Sequence, residues 1–120
     1  MTDLHALDHA RGHSLVPTVE ELAAIPKLYE TDGQPFLEKK IYLKYFAGSS
    51  ATWHIAEVDP EPDSWILFGH CDLGLGFPEW GSVDLHELAS LSVRTPQGFP
   101  IYAERDLQFL PKLWSEVVHD

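Results

Sequence analysis

A chain of 120 residues, 44% hydrophobic and 12% aromatic, is long enough for one core and too apolar to stay disordered. Its 19 acidic and 8 basic residues give a net charge of −11, which weighs against direct binding to nucleic acid or to anionic membranes, because both need Lys and Arg to displace counterions. Cys71 is the only cysteine, so intrachain disulfides and cysteine-built zinc sites are excluded, and the expected compartment is a reducing cytoplasm.

Met1 to Ser14 is polar and histidine-rich, unlike a secretory leader, and no run approaches the roughly 18 apolar residues of a membrane span. Residues 1–17 lack periodicity and are expected to form a flexible tail, although His5, His9 and His13 would share one face if helical. Thr18 followed by Glu21 is a capping-box pattern and predicts a short helix from Thr18 to Ala24. Lys40 to Phe46, Thr52 to Val58 and Trp65 to Cys71 are rich in β-branched and aromatic residues between turn-like segments, and so predict three strands in an antiparallel meander. Trp65 to Cys71 is apolar on both alternating faces, as in a central strand covered on each side. After a Gly-rich stretch from Leu73 to Gly81, Asp84 and Glu87 repeat the helix-start pattern for Leu85 to Leu91. Arg94 to Pro100 reads as a loop, Ala103 to Phe109 as a last strand, and Pro111 as the start of a C-terminal helix with Leu113, Trp114, Val117 and Val118 on its apolar stripe. The expected fold is therefore α+β: a small antiparallel sheet of three to five strands flanked by short helices, in a single domain over residues 18–120.

A spaced set of residues is more specific than any one element. Pro26 to Tyr29, Ile41 to Phe46, Thr52 and Trp53 with Glu57 and Asp59, Leu67 to Gly69, Asp84 with Glu87, Arg94, Gly98 to Pro100 and Glu104 to Leu107 together resemble the DUF2958 family. The resemblance covers about Ile25 to Val117; Tyr102 and Ala103 are extra residues relative to its pattern, and the first 17 residues lie outside it. The family consists of uncharacterised proteins common on plasmids and other mobile elements, so the resemblance implies a genetic setting and no chemistry.

The residues with catalytic potential do not form a constellation in the sequence. His70 and Cys71 are neighbours on an extended strand and point to opposite faces, which forbids a nucleophilic dyad. His70 with Asp72, and Glu57 with Asp59, alternate onto shared faces and are the residues a small hydrolase or metal-dependent enzyme would use. In the cluster Glu104, Arg105, Asp106, an extended backbone turns Arg105 away from its neighbours; with Arg94, these four are read as structural ion pairs whose partners lie elsewhere. No cofactor and no metal are expected.

Charge distribution is the most informative feature. From Tyr45 to Val93 there is no Lys or Arg, while Glu57, Asp59, Glu61, Asp63, Asp72, Glu79, Asp84 and Glu87 accumulate. The expectation is a non-enzymatic accessory protein, monomeric or a small homo-oligomer, that binds a protein with a basic surface. The contact residues would be Glu57, Asp59, Glu61, Asp63, Asp72 and Glu79, with Trp80 as an aromatic anchor. In its sharpest form the acidic face imitates nucleic acid against a host defence protein. The alternatives are the enzyme named above and a domain whose charge only keeps it soluble.

Overall fold

A computed structural model describes residues 3–61 and 63–119. The chain runs α1 (Asp8–Arg11), α2 (Val19–Ala24), a 3-10 turn (Phe36–Glu38), β1 (Lys40–Ile41), β2 (Leu43–Ala47), β3 (Ala51–Glu61), β4 (Ser64–Asp72), β5 (Glu79–Asp84), α3 (Leu85–Ser90), β6 (Ser92–Arg94), β7 (Pro100–Arg105), β8 (Lys112–Leu113) and α4 (Trp114–Val118). Six strands form one antiparallel sheet in the order β5-β4-β3-β2-β7-β6, and β1 pairs with β8 in a separate two-stranded sheet. The α+β class and the antiparallel meander β2-β3-β4 are as the sequence predicts, and β4 is an internal strand; the strand count is higher.

The β3–β4 hairpin is the spine of the sheet, and a bulge between Ile55 and Glu57 shapes it. Trp53, Ile55 and Val58 pack with Leu43, Tyr45, Leu67, Leu85 and Leu88 in the main core. Ala56, on the opposite side by strand alternation, packs with Ile41 and Trp114 in a second, smaller core. The bulge presses backbone against backbone at Gly69, where an added Cβ would lie 1.9 Å from the His54 carbonyl oxygen. Only glycine fits there.

Local capping explains two of the helices. Thr18 Oγ1 accepts from the Glu21 amide at 3.1 Å, while Glu21 Oε1 accepts from the Thr18 amide at 2.8 Å. Asp84 accepts from the His86 amide at 2.9 Å at the start of α3.

The first 17 residues were expected as a flexible tail, yet Leu15 is fully buried in the main core and accepts a 2.6 Å hydrogen bond from the Tyr45 hydroxyl. Arg11, also buried, donates to the Ala103 and Ala89 carbonyls and pairs with Asp8, which fastens α1 to β7 and α3. The end of the Gly-rich stretch enters β5 at Glu79, the expected Arg94–Pro100 loop is the turn of the β6–β7 hairpin, and the last long strand runs from Pro100 to Arg105, short of Phe109. Of the histidines proposed to share a face, His5 bonds Asp8, and His13 Nε2 accepts from the Arg105 amide at 2.9 Å.

Candidate functional site

The acidic residues between Tyr45 and Val93 do not form one face. Glu57 is 1% exposed. Its carboxylate accepts from the Tyr29 amide at 2.8 Å, the Thr31 amide at 3.2 Å and the Thr31 hydroxyl. Buried Lys39 donates to that same Thr31. This network holds the 26–32 loop over the sheet, with Tyr29 at a φ of 71°, and takes Glu57 off the contact surface. Asp59, Glu61 and Asp63 lie at one end of the β3–β4 hairpin, with Asp59 opposite Ile66; Asp72 and Glu79 lie at the other, with Asp72 opposite Thr52. Those ends are roughly 20 Å apart by strand rise.

The residues of the enzyme alternative do not converge either: Asp59 pairs with Ile66 near the opposite end of β4 from Asp72. Glu57 is committed to its loop, Asp72 Oδ1 accepts from the Gly74 amide at 2.9 Å, and His70 sits among rings, 4.4 Å from Trp114 and 5.8 Å from Trp80 between centroids. Burial lowers the pKa of His70, although nearby Asp72 opposes the shift. Among the described residues no three His, Cys, Asp or Glu side chains are placed to hold a metal. Trp80 is half-buried rather than presented as an anchor: it stacks on Phe36 at 4.6 Å and meets Trp114 edge-on at 5.5 Å.

Of the four residues read as structural ion pairs, Arg105 finds its partner in α2, where its guanidinium grips Glu21 in a two-pronged pair with one arm at 3.0 Å. That hydrogen bonding holds the Glu21 carboxyl below its ordinary range against the opposing effect of burial. Asp106 approaches Lys44 at 3.9 Å. Arg94 instead donates to the Gly98 carbonyl at 2.8 Å within the β6–β7 turn, and Glu104 faces across to Phe46 outside these pairs.

A concavity lies on the main-core side of the sheet. A cleft of about 420 Å³ opens between β4, β5 and α3, with Trp53, Cys71, Val83, Leu88 and Leu91 along its walls and Glu79 and Glu87 at its rim. The loop entering β5 adds Leu73, which lines the cleft, then Leu75 and Phe77, exposed at 52%, 72% and 85%. Gly74 and Gly76, at φ of 77° and 87°, separate these side chains. The loop is anchored: Asp72 bonds the Gly74 amide, and a Cβ on Gly74 would lie 2.6 Å from the Ser50 side chain. Three large apolar side chains are thus exposed on one held loop that enters an apolar cleft at Leu73, and exposed apolar surface beside a cleft is of the kind that marks an interaction site.

The one thiol in this cleft is not activated. Burial, reinforced by Glu79, raises the pKa of the Cys71 thiol, which disfavours the nucleophilic thiolate. His70, its sequence neighbour, is on the other face of the strand. Sequence reasoning named Asp72 and Glu79 here but missed Leu73, Leu75, Phe77 and Glu87 as a group. The available signal was the alternation Leu-Gly-Leu-Gly-Phe, in which glycines space large apolar residues so that a packed core cannot take them all in.

The sequence model of a family described as "Protein of unknown function (DUF2958)" matches residues 24–115 of the chain. No curated protein and no solved structure matches the chain.

Proposed function

The chain belongs to the DUF2958 family, and we propose that it is a non-enzymatic binding module which docks a basic, apolar-anchored segment of another protein in the cleft beside Phe77. One observation carries this reading: Leu73, Leu75 and Phe77 stand exposed beside an apolar cleft whose rim bears Glu79 and Glu87 and, among the described residues, no basic side chain. An apolar side chain of the partner would enter between Trp53 and Leu88, and flanking Lys or Arg residues would meet the rim carboxylates. Charge would then speed and select the encounter, while the apolar contact would supply most of the affinity. The role as an accessory protein of a mobile element is part of the same proposal and comes with the family resemblance. Imitation of nucleic acid has less support, because Glu57 is internal and the remaining carboxylates divide between two ends of a hairpin.

The test uses a fluorescent peptide with a Trp-Leu centre flanked by lysines, and a second with glutamates in place of the lysines. The lysine-flanked peptide is expected to bind saturably, to weaken as salt rises, and to lose about tenfold in affinity to the double variant Glu79→Gln, Glu87→Gln, at roughly 0.7 kcal/mol per exposed charge. Equal binding of both peptides would overturn the proposal.

A further inference from the structure

The six-stranded sheet is open, and its two edge strands differ. β6 is three residues long and carries Arg94, the short and charged form in which proteins guard an exposed edge. β5 has six residues, Glu79–Asp84, with no Lys, Arg or Pro, and its register with β4 is unbroken by a bulge. Among the described residues no backbone hydrogen bond joins its outer side to another element. An edge of this length left unguarded is a template for a further strand.

The direction of its backbone groups follows from the neighbouring strands. The Ile55 carbonyl accepts from the Tyr42 amide at 2.8 Å, and so faces the β2 side, away from β4. Gly69, opposite Ile55, therefore turns its own amide and carbonyl toward β5, where Gly81 faces it. Cys71 Sγ lies 3.8 Å from the Gly69 carbonyl oxygen and 4.0 Å from that of Gly81, as two oxygens between these strands require. Alternation then leaves the amides and carbonyls of Trp80 and Ser82 at the outer edge. Side chains alternate too: Glu79, Gly81 and Val83 are on the cleft side, while Trp80 stacks on Phe36 on the other. At Gly81 a Cβ would meet nothing within 4 Å, so the edge opens into the cleft at this position.

We infer that a partner segment binds as a seventh strand along β5, its backbone bonded to Trp80 and Ser82 and an apolar side chain passing over Gly81 into the cleft. This rests on the docking reading above and adds the conformation of the bound segment: extended, with apolar residues at alternate positions and Lys or Arg on the flanks. Charge decides the occupant. A second copy joined edge to edge in the antiparallel sense would set Glu79 of each chain near Asp84 of the other, acid against acid, whereas a basic segment meets Glu79 and Glu87. Phe36 and Trp114 pack against Trp80, so the edge is formed before the partner arrives.

The experiment is amide hydrogen exchange by NMR on the full chain, free and saturated with the lysine-flanked Trp-Leu peptide. Beside it, affinities are measured for two N-methylated forms of that peptide, with the methyl groups on alternate residues in the two possible phases. The Trp80 and Ser82 amides are expected to exchange about tenfold more slowly in the complex, while those of Gly81 and Val83, already paired with β4, change little. One N-methylated form should bind about tenfold more weakly, the loss of two backbone hydrogen bonds partly open to water, and the other as the parent peptide does. If the peptide binds and weakens with Glu79→Gln, Glu87→Gln, but both N-methylated forms match it and the Trp80 and Ser82 amides stay unprotected, the docking reading stands and the added strand is overturned. If the peptide does not bind, both fall. Protection of these two amides in the free chain that rises with its concentration would assign the edge to a second copy and likewise overturn the inference.

Discussion

Replacing Glu57 with alanine removes the acceptor that organises the 26–32 loop. Three donors lose their partner: the Tyr29 amide, the Thr31 amide and the Thr31 hydroxyl. Lys39, 3% exposed, keeps Thr31 as an acceptor but loses the negative charge behind it. Each orphaned buried donor costs about 1–3 kcal/mol when nothing replaces the acceptor; water entering at the loop edge satisfies part of the set, so the net loss is about 3 kcal/mol. With an unfolding entropy of roughly 0.25 kcal/mol/K for a chain of this length, the midpoint of thermal unfolding falls by about 12 °C. Glu57→Gln retains the volume and one accepting oxygen, and should lose about half as much. Circular dichroism melts of both variants beside Glu61→Ala provide the assay; Glu61 is exposed, and its replacement should stay within about 0.5 kcal/mol of the parent. A Glu57→Ala midpoint as close to the parent as that of Glu61→Ala would refute the buried network and return Glu57 to the surface.

Two further outcomes are expected. Gly69→Ala forces a methyl into the His54 carbonyl and should lower stability by about 4 kcal/mol or prevent folding, as judged by urea unfolding and soluble yield; a variant as stable as the parent would contradict the bulge geometry. The depressed pKa of His54, about 4, means that below pH 6.5 the unfolded chain takes a proton the folded chain refuses. Its contribution is therefore full above about pH 6.5 and is lost as pH falls toward 4, by about 1.5–2 kcal/mol after discounting for partial exposure. Urea unfolding at pH 7 and pH 4.5 should show a smaller drop for His54→Gln than for the parent; equal drops would contradict the assignment.

Much of the architecture is written locally in the sequence. Thr18 with Glu21, and Asp84 ahead of His86, act within one helical turn, so α2 and α3 are legible from spacing alone. The strands β2, β3 and β4 announce themselves by β-branched and aromatic composition. β5 does not, because Glu79-Trp80-Gly81-Ser82 has weak strand preference and takes its form from pairing with β4 at the sheet edge. Distance hides the rest. Arg11 finds its carbonyl partners 78 and 92 positions away, and so a polar, histidine-rich opening conceals a packed one. Glu57 looks in sequence like an exposed strand carboxylate; the loop that covers it lies 26–28 residues earlier, and nothing near Glu57 signals that cover. The proposed docking surface is legible only in part: the acids stand out, while the apolar loop beside them passes for a Gly-rich connection.

Methyl and amide NMR shifts during titration with the lysine-flanked peptide test the docking surface most directly, with Phe77→Ala as the decisive variant. Phe77 is 85% exposed, so its removal should leave the melting midpoint within the range of a surface substitution. Shifts are expected to concentrate at Leu75, Gly81, Val83, Leu88 and Leu91, with a loss of about tenfold or more in affinity for Phe77→Ala, the cost of truncating an aromatic hot spot. Unchanged affinity in that variant, or shifts centred on Asp59, Glu61 and Asp63 at the far end of the hairpin, would contradict the proposed docking surface.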